Sequence, residues 1–192
     1  MRLLVLIGPP AVGKMTVGRA IAQRSDFRLF HNHHSIEMLL DVFAYGTPPF
    51  DALNVEIRRR VFEEAAASGT NLIFTYVMAM DSQGDADYLR RLMAPYLDQD
   101  ADIRLVELRA DLATRLERNR TEFRLAAKPS KRDLEWSEEN VRGLDAERLV
   151  SHPEIEGPGE RLFQEHATLR LDTTDLSAED AADEILRWLT GD

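Results

Sequence analysis

The sequence predicts an α/β domain: a parallel five-stranded sheet with helices on both faces. Three observations predict it. Short β-rich runs alternate with amphipathic stretches along the chain. The first run, Arg2–Ile7, is apolar from Leu3 onward, as a central parallel strand buried on both faces must be. That run passes straight into a glycine loop and then a helical pattern, the strand–turn–helix order of an open α/β sheet. A chain of 192 residues has room for one such domain, taken as 1–192.

The elements follow in order. Strands are expected at Arg2–Ile7, Phe27–His31, Asn71–Tyr76, Ile103–Leu108 and Thr168–Leu171. A helix over Lys14–Arg24 follows the glycine loop, and a second over Ser35–Ala44 stops at Gly46 and Pro48-Pro49. Asp51 is the expected cap of a third helix, whose stripe Leu53, Ile57, Val61 and Ala65 repeats every four residues until Ser68-Gly69 ends it. Tyr88, Leu89, Leu92, Met93, Tyr96 and Leu97 mark another helical face, which Pro95 should kink or shorten. Pro153, Gly157, Pro158 and Gly159 read as a surface loop. Ser177, with Asp180 three residues on, caps a last helix that turns Ala181, Ile185 and Leu189 inward.

Composition narrows the function classes. The 24 Lys and Arg face 34 Asp and Glu, a net charge of −10, and so acidic a surface repels nucleic-acid backbones and anionic lipids. With no cysteine there is no disulfide framework, thiolate zinc site or thiol nucleophile. The apolar run Leu3–Ile7 is too short for a signal sequence or a membrane span, so a cytoplasmic protein is expected.

Gly8-Pro9-Pro10-Ala11-Val12-Gly13-Lys14 satisfies G-x-x-x-x-G-K between a buried strand and a helix. Glycines allow a tight path that turns successive N–H groups toward phosphate oxygens. The helix N-terminus adds partial positive charge, and Lys14 reaches the outer phosphates. One position departs from the motif: Met15 stands where Ser or Thr would ligate Mg²⁺. Thr16 comes next, but one residue along a helix is a rotation of about 100°, so it addresses phosphate and does not inherit the metal. Mg²⁺ would then be held mainly by phosphate oxygens and water, or metal use is unusual.

The loop together with Thr16-Val17-Gly18-Arg19 resembles the start of shikimate kinases, and the element order is similar to P-loop small-molecule kinases of the shikimate-kinase and nucleoside-monophosphate-kinase group. The resemblance implies a three-layer P-loop kinase fold with a lid insertion at approximately 118–135. It also implies ATP (GTP is possible), Mg²⁺ and a small-molecule acceptor. Gly8, Ala11, Val12, Gly13, Lys14, Met15 and Thr16 would hold the phosphates. Arg118, Asp172 and Thr173 would border the base; an ordinary turn accounts for the last two equally well. No residue is assigned to the metal.

His31-Asn32-His33-His34-Ser35-Ile36-Glu37 closes the second strand, where open α/β sheets bind ligands. Strand alternation would put His31 and His33 on one side and Asn32 on the other. In shikimate kinases the segment reads Asp-x-Asp before Ile-Glu, and His31 and His33 occupy those acidic positions. Shikimate is therefore not implied as the acceptor. A neutral imidazole can accept a hydroxyl proton. His33 is expected to contact or deprotonate the acceptor, and His31 to support metal-bound water or phosphate. The alternatives are histidines hydrogen-bonded in a cleft, or a transition-metal site for which no third ligand is evident.

Nucleotide kinases often carry an acid at the end of an inner apolar strand; here Leu72-Ile73-Phe74 leads to Thr75. Asp81 is the nearest acid, with a capping or solvated role as its alternative. Tyr76, Met78 and Met80 could line an acceptor pocket or fill the core. Arg115, Arg118, Arg120, Arg124, Lys128, Lys131 and Arg132 are opposed only by Glu117 and Glu122 across Arg115–Arg132. The resemblance makes this the lid, its arginines neutralising charge on the transferred phosphoryl group. Arg118 or Arg120 would start it, Arg124 would reach phosphate, and Lys128-Pro129-Ser130-Lys131 would serve as a hinge. A solvated or partner-facing helix is the alternative. The catalytic set so expected is Lys14, His31, His33, Arg120 and Arg124. Two functions compete: an ATP-dependent phosphotransferase acting on a hydroxyl of a small metabolite, nucleoside-like compound or antibiotic, and a nucleotide-binding regulatory module. A nucleic-acid end kinase would need a wider basic surface. Oligomeric state is not read from the sequence.

Overall fold

A computed structural model describes residues 1–121, 130 and 133–191. Five parallel strands, β1 (Arg2–Ile7), β2 (Arg28–His31), β3 (Leu72–Tyr76), β4 (Asp102–Arg109) and β5 (Ala167–Asp172), form one sheet in the order β2-β3-β1-β4-β5. Each matches an expected strand to within a residue at either end. β1 lies at the centre, and Leu3 to Ile7 are all fully buried. Alternation divides them: Leu3, Val5 and Ile7 join one core cluster, Leu4 and Leu6 the other.

Helix α1 (Lys14–Gln23) packs Val17, Ala20 and Ile21 on the Leu4–Leu6 face, together with Ala181, Ala182, Ile185 and Leu189 of the last helix. On the opposite face lie Phe62 and Ala66 of α3 (Pro48–Ala67) and Leu89, Leu92, Met93 and Tyr96 of α4 (Gln83–Leu97). Helix α2 (His33–Leu40) follows β2, and α5 (Leu112–Asn119) follows β4. Then come α6 (Leu134–Asp145), α7 (Pro158–Glu165) and the last helix, α8 (Ala178–Thr190). Ser177 caps α8, its hydroxyl accepting from the Asp180 N–H at 3.0 Å.

Three expectations are corrected here. Helix α3 starts at Pro48 after Thr47, so Asp51 lies in its first turn and does not cap it. Its buried face is Phe50, Arg58, Phe62 and Ala66, one residue away from the expected stripe, and Leu53 is 40% exposed. The aromatic rings decide the rotation: Phe62 meets Phe74 edge-on at 5.1 Å and Tyr96 at 6.2 Å. Arg58, a cation in the middle of that stripe, hid it from apolar counting. Helix α4 runs through Pro95 to Leu97 without being shortened, because a missing N–H in the last turn removes only one bond.

The Gly157–Gly159 segment is no surface loop. Pro158 opens α7, and Glu160 reaches back to the Gly157 N–H at 3.1 Å. Gly159 N–H donates to Met80 O at 2.9 Å, and a Cβ on Gly159 would lie 2.4 Å from Met80 Sδ and 3.0 Å from its Cα. Met80 is fully buried, so Gly159→Ala must push α7 off the core. A loss of about 1–3 kcal/mol is expected, and the thermal midpoint should fall by roughly 2–4 °C for each of those kcal/mol. An unchanged melting curve would show that the contact yields freely.

Candidate active site

The strands end together at Ile7, His31, Tyr76, Arg109 and Asp172, and the loops that leave them enclose a cavity of about 340 Å³. Its floor is the Gly8–Lys14 loop. Gly8 (φ 149°), Ala11 (φ 63°) and Gly13 (φ 106°) all take left-handed backbone, which curls the loop on itself. At Gly8 a Cβ would come within 2.3 Å of Leu108 O, so only glycine lets the loop leave β1 this close to β4. Ala11 holds its strained conformation without a glycine's freedom, as backbones at ligand sites often do. Lys14 opens α1 and is buried; its ammonium donates to Gly8 O at 2.6 Å and Pro9 O at 2.7 Å. Gly13, Lys14, Met15, Thr16 and Val17 line the cavity at the positive end of α1. Met15 is 7% exposed and offers only a thioether.

Arg118, at the end of α5, forms one wall. Its guanidinium donates to Val12 O (3.1 Å), Thr173 O (2.6 Å), Thr173 Oγ1 (3.2 Å) and Leu176 O (3.2 Å). Burial lowers its pKa, against the upward pull of Asp111 and Asp172. Thr173 is buried and also lines the cavity, whereas Asp172 is exposed and accepts from the Thr174 N–H. Arg120 turns away from the cavity to Glu138 of α6 at 2.5 Å and is 62% exposed. Arg115 is buried and paired with Asp145. Arg124, Lys128, Lys131 and Arg132 lie outside the described residues.

The histidines part company with the alternation expected of them. β2 ends at His31, and Asn32 has helical dihedrals (φ −55°, ψ −26°) as α2 begins, so the two-residue period stops there. Asn32, not His31 or His33, lines the cavity, facing Thr75 at the end of β3. His31 is buried with its ring 3.6 Å from that of His34. Burial, and then Arg19, lower the His34 pKa.

His33 Nδ1 lies 2.9 Å from Glu37 Oε1. Glu37 also accepts from Ser130, at 2.5 Å from the hydroxyl and 3.1 Å from the backbone N–H. Burial pushes the Glu37 carboxyl up, but the hydrogen bonds from His33 and Ser130 outweigh it and hold the pKa down to about 2. An ionised carboxylate only accepts, so His33 Nδ1 carries the proton in this contact. Because the carboxyl is depressed from 4.5 to about 2, its stabilising contribution is present above pH 4.5 and is lost as pH falls toward 2. Glu37→Gln should therefore melt below the wild type at pH 7, with the gap narrowing below pH 4.5 and closing toward pH 2; a constant gap would detach the effect from ionisation.

Met78 and Met80 are fully buried beneath α7, which settles them as core and not as pocket lining. Asp81 is exposed. It is Asp85, at the start of α4, that accepts from Tyr76 Oη (3.2 Å) and Ala79 N–H (2.9 Å). Two residues not singled out in the sequence organise the cavity's far side. Arg58 is buried and donates to Asn32 O and Ser35 Oγ, both at 3.0 Å. Ser35 in turn donates to Asn54 Oδ1 at 2.6 Å. The legible signal for Arg58 was an arginine interrupting an apolar helical face.

No family model matches the chain. A shikimate kinase from Rhodococcus jostii (strain RHA1) is 40% identical over 65 residues, 31% of this chain and 39% of that protein, so the likeness spans well under half of the relative. The shikimate kinase of Acinetobacter baumannii, solved in complex with shikimate, superposes with a TM-score of 0.58 at 20% identity, covering 99% of this chain and 93% of that one. The fold is that of the shikimate-kinase group. The Mycobacterium tuberculosis APS kinase CysC, solved with AMPPNP and APS, shares it with a TM-score of 0.57 at 15% identity over 98% and 97% of the two chains. Among the described residues, the shikimate-kinase fold here includes no helix long and apolar enough to cross a membrane.

Proposed function

We propose that the chain is an ATP-dependent kinase that transfers the terminal phosphoryl group to a hydroxyl of a small metabolite, nucleoside-like compound or antibiotic. One observation carries this reading: a left-handed glycine loop, the positive end of α1, Lys14 and Arg118 converge on one cavity. Cations and amides fixed in advance around a polyphosphate are what phosphoryl transfer requires, since catalysis there is mostly positioning and charge stabilisation. The neighbours support it, because the APS kinase was solved with a nucleotide analogue and a small-molecule partner in the same fold.

Gly8 to Thr16 would hold the phosphates, with Lys14 moving its donors from loop carbonyls to phosphate oxygens. Arg118 and Thr173 would border the base. Mg²⁺ fits this site as an ion carried by the nucleotide: phosphate oxygens and water would hold it, with the Thr16 hydroxyl as a neutral oxygen on the cavity wall, and Met15 supplies none. The ion would neutralise phosphate charge. His33, held by Glu37, is assigned to the acceptor side, where it would contact or deprotonate the hydroxyl, and His31 to metal-bound water or phosphate. Arg124 is assigned to phosphate. Imidazoles at both acidic positions of the Asp-x-Asp motif argue against shikimate as the acceptor, and its identity within that class stays open.

The test is ADP release from ATP in the presence of pooled metabolites. Acceptor-dependent release supports transfer. Tight ATP binding without turnover across broad pools would leave a nucleotide-binding regulatory module instead, and binding of neither ATP nor GTP would remove the reading altogether.

A further inference from the structure

Asn32 is clamped on nearly every polar atom it has. Its N–H donates to Thr75 Oγ1 at 3.1 Å, and its carbonyl accepts from Arg58 Nη2 at 3.0 Å. Thr75 Oγ1, having accepted from that N–H, places its own proton on Asn32 Oδ1 at 3.3 Å. The side-chain amide is therefore held with oxygen toward β3 and nitrogen away from it. Asn32 and Thr75 both line the cavity that Lys14 enters from below, and no described residue accepts from Asn32 Nδ2. Thr75 is 1% exposed, so the hydroxyl that orients the amide is shielded from competing water.

We infer that the Asn32 side-chain amide is a neutral hydrogen-bond donor to the terminal phosphoryl group of the bound nucleoside triphosphate, and that Thr75 is the positioning residue that aims it. The inference rests on the nucleotide-site reading above. The chemistry favours a phosphoryl oxygen. The amide presents N–H and not a lone pair, and it faces the same space as a lysine and a helix N-terminus. A polarised anionic oxygen gains most from such a donor where the group is already oriented. A carboxylate at position 32 would repel that oxygen.

Calorimetry with a nonhydrolysable ATP analogue and with ADP, on wild type and variants of the full chain, tests this. Asn32→Ala should weaken the analogue about tenfold, the scale of one hydrogen bond to a charged group, and leave ADP affinity unchanged. Asn32→Asp should weaken the analogue further without Mg²⁺. Thr75→Val should reproduce the loss and Thr75→Ser should restore it, a pattern that loosened folding would not give. If wild type binds both ligands and the variants keep the same analogue-to-ADP ratio, the inference fails and the proposed function stands. If wild type binds neither ligand, the nucleotide site itself is wrong. Melting curves taken alongside identify a variant that has simply unfolded, in which case Asn32→Ser serves in place of Asn32→Ala.

Discussion

Lys14→Ala is expected to lower the rate of phosphoryl transfer on the order of 100- to 1,000-fold, the usual consequence of deleting one fixed donor from a site of developing negative charge. The ammonium is buried at the mouth of α1 and already placed within the loop, 2.6 Å from Gly8 O and 2.7 Å from Pro9 O. In the proposed site, its exchange from two carbonyls to phosphate oxygens would require no large movement of the main chain. Removing it leaves both carbonyls acceptors without their cation, so triphosphate affinity should fall as well. Lys14→Arg should not rescue, because a planar fork cannot replace a compact ammonium in a loop this tight. Nucleotide calorimetry and turnover measured together check the expectation, with circular dichroism to confirm the fold. Full activity in Lys14→Ala would refute the phosphate cradle.

Glu107→Ala is expected to cost about 3–5 kcal/mol of stability, the range for breaking a buried charge network by deleting one member. Glu107 ends the central part of β4 and is fully buried. Its carboxylate receives Arg109 through two nitrogens, at 2.6 and 2.9 Å, and Ser151 through its backbone N–H and its hydroxyl. Arg170 on β5 lies 3.8 Å away and donates to Ser151 Oγ. Deletion strands a guanidinium and a backbone N–H, and frees the segment between α6 and α7. Glu107→Gln should be milder, since it keeps an acceptor oxygen. Urea denaturation measures both, and a change below about 1 kcal/mol for the alanine variant would mean that water replaces the carboxylate easily.

Most of the sheet was legible because central parallel strands read as continuous apolar runs, and Leu3–Ile7 has no other stable home. The glycine loop was legible for a related reason: its spacing encodes a backbone path. What escaped were features set by tertiary contact. Gly157 and Gly159 look like loop residues until Met80 is known to press on them. The α3 stripe shifted because two aromatic rings outcompeted four smaller side chains for the same space. At the site, the histidines drew attention by residue type, while the position between them lines the cavity. Alternation failed there because it was carried two residues past the strand's end at His31, and a single change from extended to helical dihedrals exchanges which side chain looks inward. Arg120 was misdirected for a similar reason, since Glu138 belongs to a helix that the local sequence does not connect with it.

Arg118 meets the carbonyls of Val12, Thr173 and Leu176 with the edge of its guanidinium. A planar cation fastened by its rim keeps its broad faces for an aromatic ring, and such faces are indifferent to which exocyclic groups the ring carries. In the nucleotide site proposed above, discrimination between adenine and guanine would therefore fall to the main-chain groups after β5. Exchanging the turn at 173–176 should alter purine preference while leaving the grip on the phosphates intact.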